Sequence, residues 1–390
     1  MGDVADTAQK KKKTGATNAE LANYDLTDKG LYYKEEENKL WISSPLHIEA
    51  KTRNEEDQQW GYLLNWTDPD TTPHQWAMPA TMLSGGGDEY RAELLDGGFR
   101  IAPGSKPRNL LTAYIQLSQP EDTALCTDRT GWHGSVFVLP NRTIGPDGHS
   151  VVYQSSAATQ SHFATAGTLE DWKQHSRLFC GNTRAMFVVS SMFAGPLLDL
   201  LKEESGGVHI AGGSSIGKTT LLRAACSVWG GKPFMKTWRA TSNGLEAVAA
   251  AHSGTGLILD EIGQVDGRDA GACSYMLANG EGKQRSGRSG AARRKQTWRL
   301  IFLSSGETDL TQHMKAAGKK ARAGQEIRLL TIDADAGAGH GIFEQLHGHK
   351  DGATFSKHIS RQSEVCYGTA GPAFVEMLAN KLEQEPSDLW

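Results

Sequence analysis

The chain has 390 residues, of which 38% are hydrophobic and 22% charged, with a formal net charge of −4; that length buries a large core and accommodates two or three domains. No run of about 18 apolar residues occurs, which excludes a transmembrane helix, and five scattered cysteines (Cys126, Cys180, Cys226, Cys273 and Cys366) without a CxxC pair argue against a zinc ribbon or a disulfide framework and for a reducing cytoplasm. The charge is unevenly placed: residues 201–330 hold 19 Lys+Arg against 11 Asp+Glu, the remainder 22 against 34, a basic centre in an acidic chain that suits a polyanionic partner.

Residues 1–28 open with "MGDVADTAQKKKKTGATNAE", which lacks the apolar segment of a signal peptide and reads as a polar disordered tail whose Lys10 to Lys13 could touch nucleic acid. Residues 29–142 alternate short apolar runs with turn residues. "GLYYKE", "KLWISSPLHIEAKT", "WGYLLNW", "GFRIAP" and "GSVFVLP" are expected strands and Asn109 to Ser118 a helix, giving a β-rich or α+β domain. Trp41, Trp60, Trp66 and Trp132 lie in or beside these strands; core packing is the preferred reading over stacking on single-stranded bases. His133 reads as structural. Residues 143–200 read as a polar connector with one hairpin, then two helices, the first opened by Thr168 with Glu170 and Asp171 in its first turn.

From residue 201 to 336 strand and helix patterns alternate, which predicts an α/β core: a parallel sheet with helices on both faces. Residues 337–390 begin with a Gly-rich loop and continue into helices near Phe355 to Val365 and Gly371 to Leu382, a helical lid or cap.

"GGSSIGKT", Gly212 to Thr219, is GxxxxGK[ST] between a strand and a helix, the context in which that motif binds nucleotide phosphates. The backbone of Gly212, Gly213, Ser214, Ser215, Ile216 and Gly217 wraps the phosphates, Thr220 follows in the first helical turn, Lys218 reaches the β- and γ-phosphates and Thr219 holds Mg²⁺. "GLILDEIG" then reads as a buried strand delivering Asp260 to Mg²⁺ through water and Glu261 to the attacking water, which favours ATP hydrolysis. "LIFLSSGE" is a neighbouring strand ending in a small polar sensor: Ser304 or Ser305, less securely Glu307. Ser305 has the alternative role of capping the segment that starts at Glu307. Arg328, or Arg322, suits an arginine acting on a neighbouring subunit's γ-phosphate, with a surface ion pair as the alternative for each. Arg361 is a speculative further contact from the lid. Just before the sensor strand, Lys283, Arg285, Arg288, Arg293, Arg294, Lys295 and Arg299 follow one another without an intervening acid. Gly282, Gly287 and Gly290 permit an extended loop there, and the cations suit sequence-independent contact with DNA phosphates; a solvated loop is the alternative, and Arg299 could pair locally.

The order phosphate loop, "LDE", basic insertion, "LSSGE" and arginine before the last strand resembles that of hexameric AAA+ ATPases, and the insertion resembles the pre-sensor hairpin of superfamily-three and minichromosome-maintenance helicases. The longer strings "RATSNGLEAVAAAHSGTGLILDEIGQ", "YMLANGEGKQRSGRSG", "WRLIFLSSGE" and "AGQEIRLLTIDAD", with "LCTDRTGWHGSVFVLP" and "VVYQSS" earlier, resemble the Cch-like (cassette chromosome) helicase ATPase family of phages and mobile elements, over Gly30 to Leu382. The resemblance implies a homo-hexameric DNA helicase that uses ATP and Mg²⁺ on single-stranded or forked DNA to replicate a mobile element. A primase or other element-encoded replication protein is an expected partner. This chain departs from such replication proteins in showing no primase-type acidic cluster and little chain after the expected lid, and origin recognition stays open. The competing readings are a nucleotide-dependent oligomerising switch or scaffold, as in phage defence, and a small-molecule kinase; the basic insertion and Glu261 favour the helicase.

Overall fold

A computed structural model describes residues 20–146, 151–156, 162–283, 295–320 and 323–384. The chain divides into two compact units, one made of residues 1–127 with 149–160 and the other of residues 128–148 with 161–390.

In the first unit β1 (Tyr24–Thr27), β2 (Gly30–Lys34) and β3 (Lys39–Ser43) form an antiparallel sheet. β4 (His47–Arg53), β5 (Gly61–Thr67) and β6 (Pro73–Pro79) begin a second one. After α1 (Asp88–Asp96) and α2 (Ser105–Leu117), β7 (Asp122–Thr127) joins β4 in parallel. Leu31, Ile42, Leu64, Trp66, Trp76, Tyr90 and Leu111 share its main core. The segment "GFRIAP" is not a strand. Phe99 drops into the core after the positive-φ turn at Gly98, and Ile101 makes only an isolated bridge to Ser43. Strand β6 and helix α1 had no clear sequence signal. β6 is bounded by prolines, which suits the sheet edge it occupies. α1 buries only Tyr90, Arg91 and Leu94. Trp66 and Trp132 are core residues, as their surroundings suggested, whereas Trp60 is 47% exposed with its indole N–H on the Asp57 carbonyl.

The second unit opens with the antiparallel β8 (Gly131–His133), β9 (Val136–Leu139) and β10 (Arg142–Ile144). β11 (Val151–Tyr153) belongs to the first unit, in parallel with β7. His133 is structural: a ring nitrogen lies 3.0 Å from the Arg129 carbonyl. Helix α3 (Leu169–Ser176) starts with a capping box in which Thr168 and Asp171 satisfy each other's backbone N–H groups, and α4 (Thr183–Leu200) follows.

The chain then runs β12 (Gly206–Ala211), α5 (Lys218–Cys226), β13 (Lys236–Thr237), α6 (Ser242–Ala251), β14 (Gly256–Asp260), α7 (Gly267–Asn279), β15 (Ile301–Gly306), α8 (Leu310–Ala316), α9 (Ala323–Glu326) and β16 (Leu329–Asp333). These strands pair in parallel in the order β13-β14-β15-β12-β16. Alternate residues feed opposite cores. Val208, Ile210, Ile258 and Leu303 pack with α4 and α5, while Leu257, Leu259, Phe302 and Leu329 pack with α6, α7 and α8. Both faces are thus covered, so these strands read as continuous apolar runs. Helices α10 (Gly352–Val365) and α11 (Ala370–Gln384) close the chain's described part, and their Phe355, Ile359, Val375 and Leu378 join the α4–α5 core.

Candidate functional site

Parallel pairing brings the C-terminal ends of β12, β14 and β15 to one edge, where open α/β sheets bind ligands. The loop from β12 to α5 has two left-handed residues, Ser215 at φ 63° and Gly217 at φ 107°. Gly217 caps α5, and a Cβ there would lie 2.6 Å from Ile342 as well as on a strained backbone, so only glycine fits. The first N–H groups of α5 have no intrahelical partners and face the loop's concavity. Lys218 is buried, and its ammonium donates to the carbonyls of Gly212 and Gly213, each at 2.6 Å. A charge therefore stands preset inside the loop.

Asp260 ends β14. Its Oδ2 accepts from the Thr219 hydroxyl at 3.4 Å and its Oδ1 from the Ser305 hydroxyl at 2.5 Å. Ser305 Oγ also accepts from the Glu261 backbone N–H at 3.1 Å. Glu261 is held in the left-handed region at φ 59°, a conformation that costs free energy for a residue with a Cβ and is over-represented at working sites. Its carboxylate accepts from Gly263 N–H at 3.3 Å. Strand alternation separates the two serines that sequence could not rank. Ser305 faces Asp260, whereas Ser304 is buried on the opposite side with His209 and Trp238. The alternative capping role for Ser305 fails, because Asp309 caps α8 through the Gln312 N–H.

Ser214, Ser215, Ile216, Gly217, Lys218, Thr219 and Thr220, with Glu261, Ser305 and Glu307, line one wall of a cavity of about 610 Å³. Its other wall went unnoticed in the sequence. It is made by Gly339, His340, Gly341 and Phe343 from the loop after β16, and by Gly352, Ala353, Ser356 and Lys357 from the first turns of α10. That loop is tied to the loop between β12 and α5 by Ile342 N–H on the Ile216 carbonyl at 3.0 Å. Arg184 of α4 also braces it, donating at 2.8 Å to the carbonyls of Asp333 and Asp335 and lying 3.3 Å from Glu344. The available signal was the cap Asp351, whose carboxylate accepts Thr354 N–H at 2.8 Å, followed by Ala353, Ser356 and Lys357 at one-face spacing. Arg361 is exposed and does not line the cavity, whereas Lys357 of the same helix does.

Arg328 lies away from this cavity, its guanidinium 4.5 Å over the Tyr275 ring. A hydrogen bond from Asn279, and Arg328 beside it, hold the Tyr275 phenol below its ordinary pKa. Arg322 lies outside the described residues.

The basic insertion leaves α7 as an antiparallel ribbon. Trp298 N–H donates to Gly280 O at 2.9 Å, Glu281 bridges Thr297, and Gly282 N–H donates to Gln296 O at 2.9 Å. Glu246, buried on α6, accepts the Lys283 N–H at 3.3 Å. Of the three cations of the run among the described residues, Lys295 and Arg299 have acids as partners, the latter by the local pairing that the sequence offered as its alternative. Lys295 pairs with Glu281, which stands just before the run, and Arg299 Nη1 lies 3.1 Å from Asp199. Arg285, Arg288, Arg293 and Arg294 lie outside the described residues, as do Lys10 to Lys13 of the tail. No helix among the described residues is long and apolar enough to cross a membrane.

A family model described as a domain of unknown function, DUF927, matches residues 23–298. No curated protein matches the sequence. Among solved structures the chain is similar to "SCCmec type IV Cch - active helicase", with a TM-score of 0.65 at 17% identity over 93% of this chain and 66% of that one. The resemblance read from the motifs is therefore met at the level of fold, and the chain spans 66% of the length of that helicase. The apo C-terminal region of NrS-1 (TM-score 0.36, 10% identity, 80% of this chain and 68% of that one) is a more distant likeness. So is NtrX from Brucella abortus in complex with ATP (TM-score 0.26, 16% identity, 45% of this chain and 38% of that one).

Proposed function

We propose that this chain, which belongs to the DUF927 family of domains of unknown function, is an AAA+ ATPase that hydrolyses ATP to move along DNA and unwind it. The observation that carries the reading is the convergence of Lys218, Thr219, Asp260, Glu261 and Ser305 on the same strand ends. In this reading residues 201–336 are the ATPase core and 337–390 its lid. The parallel strand order β13-β14-β15-β12-β16 supports this reading, because it sets the end of β15 between those of β12 and β14.

The phosphate loop and the start of α5 receive the triphosphate, and Lys218 exchanges its two carbonyl contacts for phosphate oxygens. The Thr219 hydroxyl and the Asp260 carboxylate are hard oxygen donors 3.4 Å apart. They fit Mg²⁺, which neutralises phosphate charge when bound. Glu261 orients water and takes its proton, and Ser305 fixes the Asp260 carboxylate and the Glu261 backbone. Lys357 and the N-terminal turn of α10 add positive potential from the lid side. The root of the basic insertion presents Lys283 to DNA phosphates, and Arg285, Arg288, Arg293 and Arg294 of the same run are the further candidates for such contacts.

The active assembly is a ring, a hexamer by resemblance, with Arg328 completing the neighbour's site. Exposed Ile327 and Leu330 flank that arginine at the sheet edge, where a neighbour would cover them. The work of the ring is replication of a phage or other mobile element, on single-stranded or forked DNA and beside a primase or similar replication protein.

Paired variants test the nucleotide chemistry. Lys218→Ala loses ATP binding, because the ammonium facing the phosphates is gone. Glu261→Gln binds ATP as the natural protein does and does not hydrolyse it. Near-normal hydrolysis by Glu261→Gln contradicts the assignment.

A further inference from the structure

His209 sits in the middle of β12, wholly buried, where an apolar side chain would fill the space without desolvating a polar ring. Its two ring nitrogens are both engaged. Nδ1 is 2.8 Å from Ser304 Oγ on the adjacent β15, and Nε2 is 2.9 Å from the Thr308 carbonyl in the turn that follows β15. The Ser304 hydroxyl also receives the Trp238 indole N–H at 2.9 Å.

The proton positions follow from donor and acceptor counting. The Thr308 carbonyl only accepts, so His209 carries a proton on Nε2, and the indole only donates, so Ser304 Oγ accepts from it. In the neutral ring, which burial favours, Nδ1 is an acceptor and takes the Ser304 proton. The chain Trp238 N–H to Ser304 O–H to His209 Nδ1, then Nε2–H to Thr308 C=O, is directional in that state. Burial, opposed by the Thr308 carbonyl and Asp309 and assisted by Lys218 and His313, holds this histidine below its ordinary pKa.

The turn held by Nε2 carries Ser305 and Glu307 into the nucleotide cavity. Gly306 lies between them, and a Cβ there would stand 3.1 Å from His209 Cε1 and 2.6 Å from Ile262 Cγ2, so the ring packs directly on the backbone joining those two residues. The Gly306 carbonyl also accepts Gly212 N–H at 3.1 Å, tying the same turn to the start of the phosphate loop.

We infer that His209 is a positioning residue for hydrolysis, which acts through its Nε2–H bond to Thr308 to hold the Ser305–Glu307 turn against the nucleotide cavity. This rests on the ATPase reading above and adds a residue outside the cavity. Its role is in the chemical step rather than in nucleotide binding, because the Lys218 contacts to the Gly212 and Gly213 carbonyls do not run through the ring.

Two amide replacements separate the ring's halves. Glutamine places its terminal N–H where Nε2–H stands, whereas the shorter asparagine reaches Ser304 but not Thr308. In steady-state ATP hydrolysis by the full chain, His209→Gln keeps kcat within about threefold, while His209→Asn loses at least about tenfold in kcat with KM for ATP nearly unchanged. Ser304→Ala, which removes the Nδ1 partner and leaves the Thr308 bond, keeps kcat. Equal losses in the two amide variants, no loss in His209→Asn, or a loss of kcat in Ser304→Ala overturn the inference. A natural chain that hydrolyses no ATP overturns the functional reading and this inference together; an active natural chain with indistinguishable variants overturns this inference alone.

Discussion

His252 caps the C-terminus of α6 with its Nδ1 on the Val248 carbonyl at 2.7 Å and its Nε2 without a hydrogen-bond partner among the described residues, beside the rings of Phe163 and Phe234. Burial depresses its pKa from 6.5 to about 3. His175, packed on Phe179 with an Nδ1 that likewise has no partner among the described residues, is depressed to about 4 by burial and by His358. Both folded values lie below the unfolded one. Below pH 6.5 the unfolded chain therefore binds protons that the native rings refuse, and the stability present above pH 6.5 is lost as pH falls toward about 4. Each ring contributes on the order of 1.4 kcal/mol per pH unit in that window. The melting temperature is accordingly expected to fall between pH 7 and pH 5, and more gently in His252→Phe. A melting temperature that holds steady or rises over that range contradicts the account. The same scale shows why sequence placed some site residues and not others. Gly217, Lys218 and Thr219 are legible because the loop's chemistry is local to eight consecutive residues. Choosing between Ser304 and Ser305 needed the strand's facing, which the pairing of β15 with β12 and β14 decides.

At the scale of elements, the ribbon that opens the basic insertion is held by Glu246 on α6 and by its own ladder, so Lys283 leaves α7 in a defined direction. Lys295, on the returning strand, is matched by Glu281. The two cations are expected to behave differently toward DNA. Lys283→Ala flattens the plot of log affinity against log salt by about 0.7 for a single strand, the loss of one phosphate contact. Lys295→Ala changes that slope by a smaller amount, because its charge is already compensated. A salt titration of both variants checks this, and an unchanged slope for Lys283→Ala marks the loop's root as merely solvated. Sequence displayed the cations as one run because Glu281 precedes Gly282 by a single residue and its pairing across the ribbon depends on register. The wall made by α10 and the loop before it was hidden for a different reason. Lys357 and His340 reach the cavity only through the fold of the loop that Arg184 and Asn182 of the second unit anchor, a tertiary arrangement with no local motif. The alternation of strands and helices from Val208 onward, by contrast, carried the parallel sheet in its apolar pattern alone.

For the whole molecule, the cavity is lined by Lys218 at the start of α5 and Lys357 of α10, while Arg328 lies away from it over Tyr275. In the proposed ring that arginine would serve the next subunit. Arg328→Ala is expected to bind ATP nearly as the natural protein does and to lose turnover. Mixing it with Lys218→Ala restores part of the rate, because some hybrid interfaces hold an intact phosphate loop facing an intact arginine. Full turnover by Arg328→Ala, or mixtures as inactive as their components, opposes an arginine acting in trans. The most direct test of the central claim is the rate of ATP hydrolysis by the purified chain titrated with single-stranded DNA of unrelated sequences. The account predicts a rate that rises several-fold with DNA, to the same plateau for each sequence, and that returns to its basal value as salt removes the phosphate contacts. A rate indifferent to DNA at low salt would contradict it and leave a nucleotide-driven switch in its place.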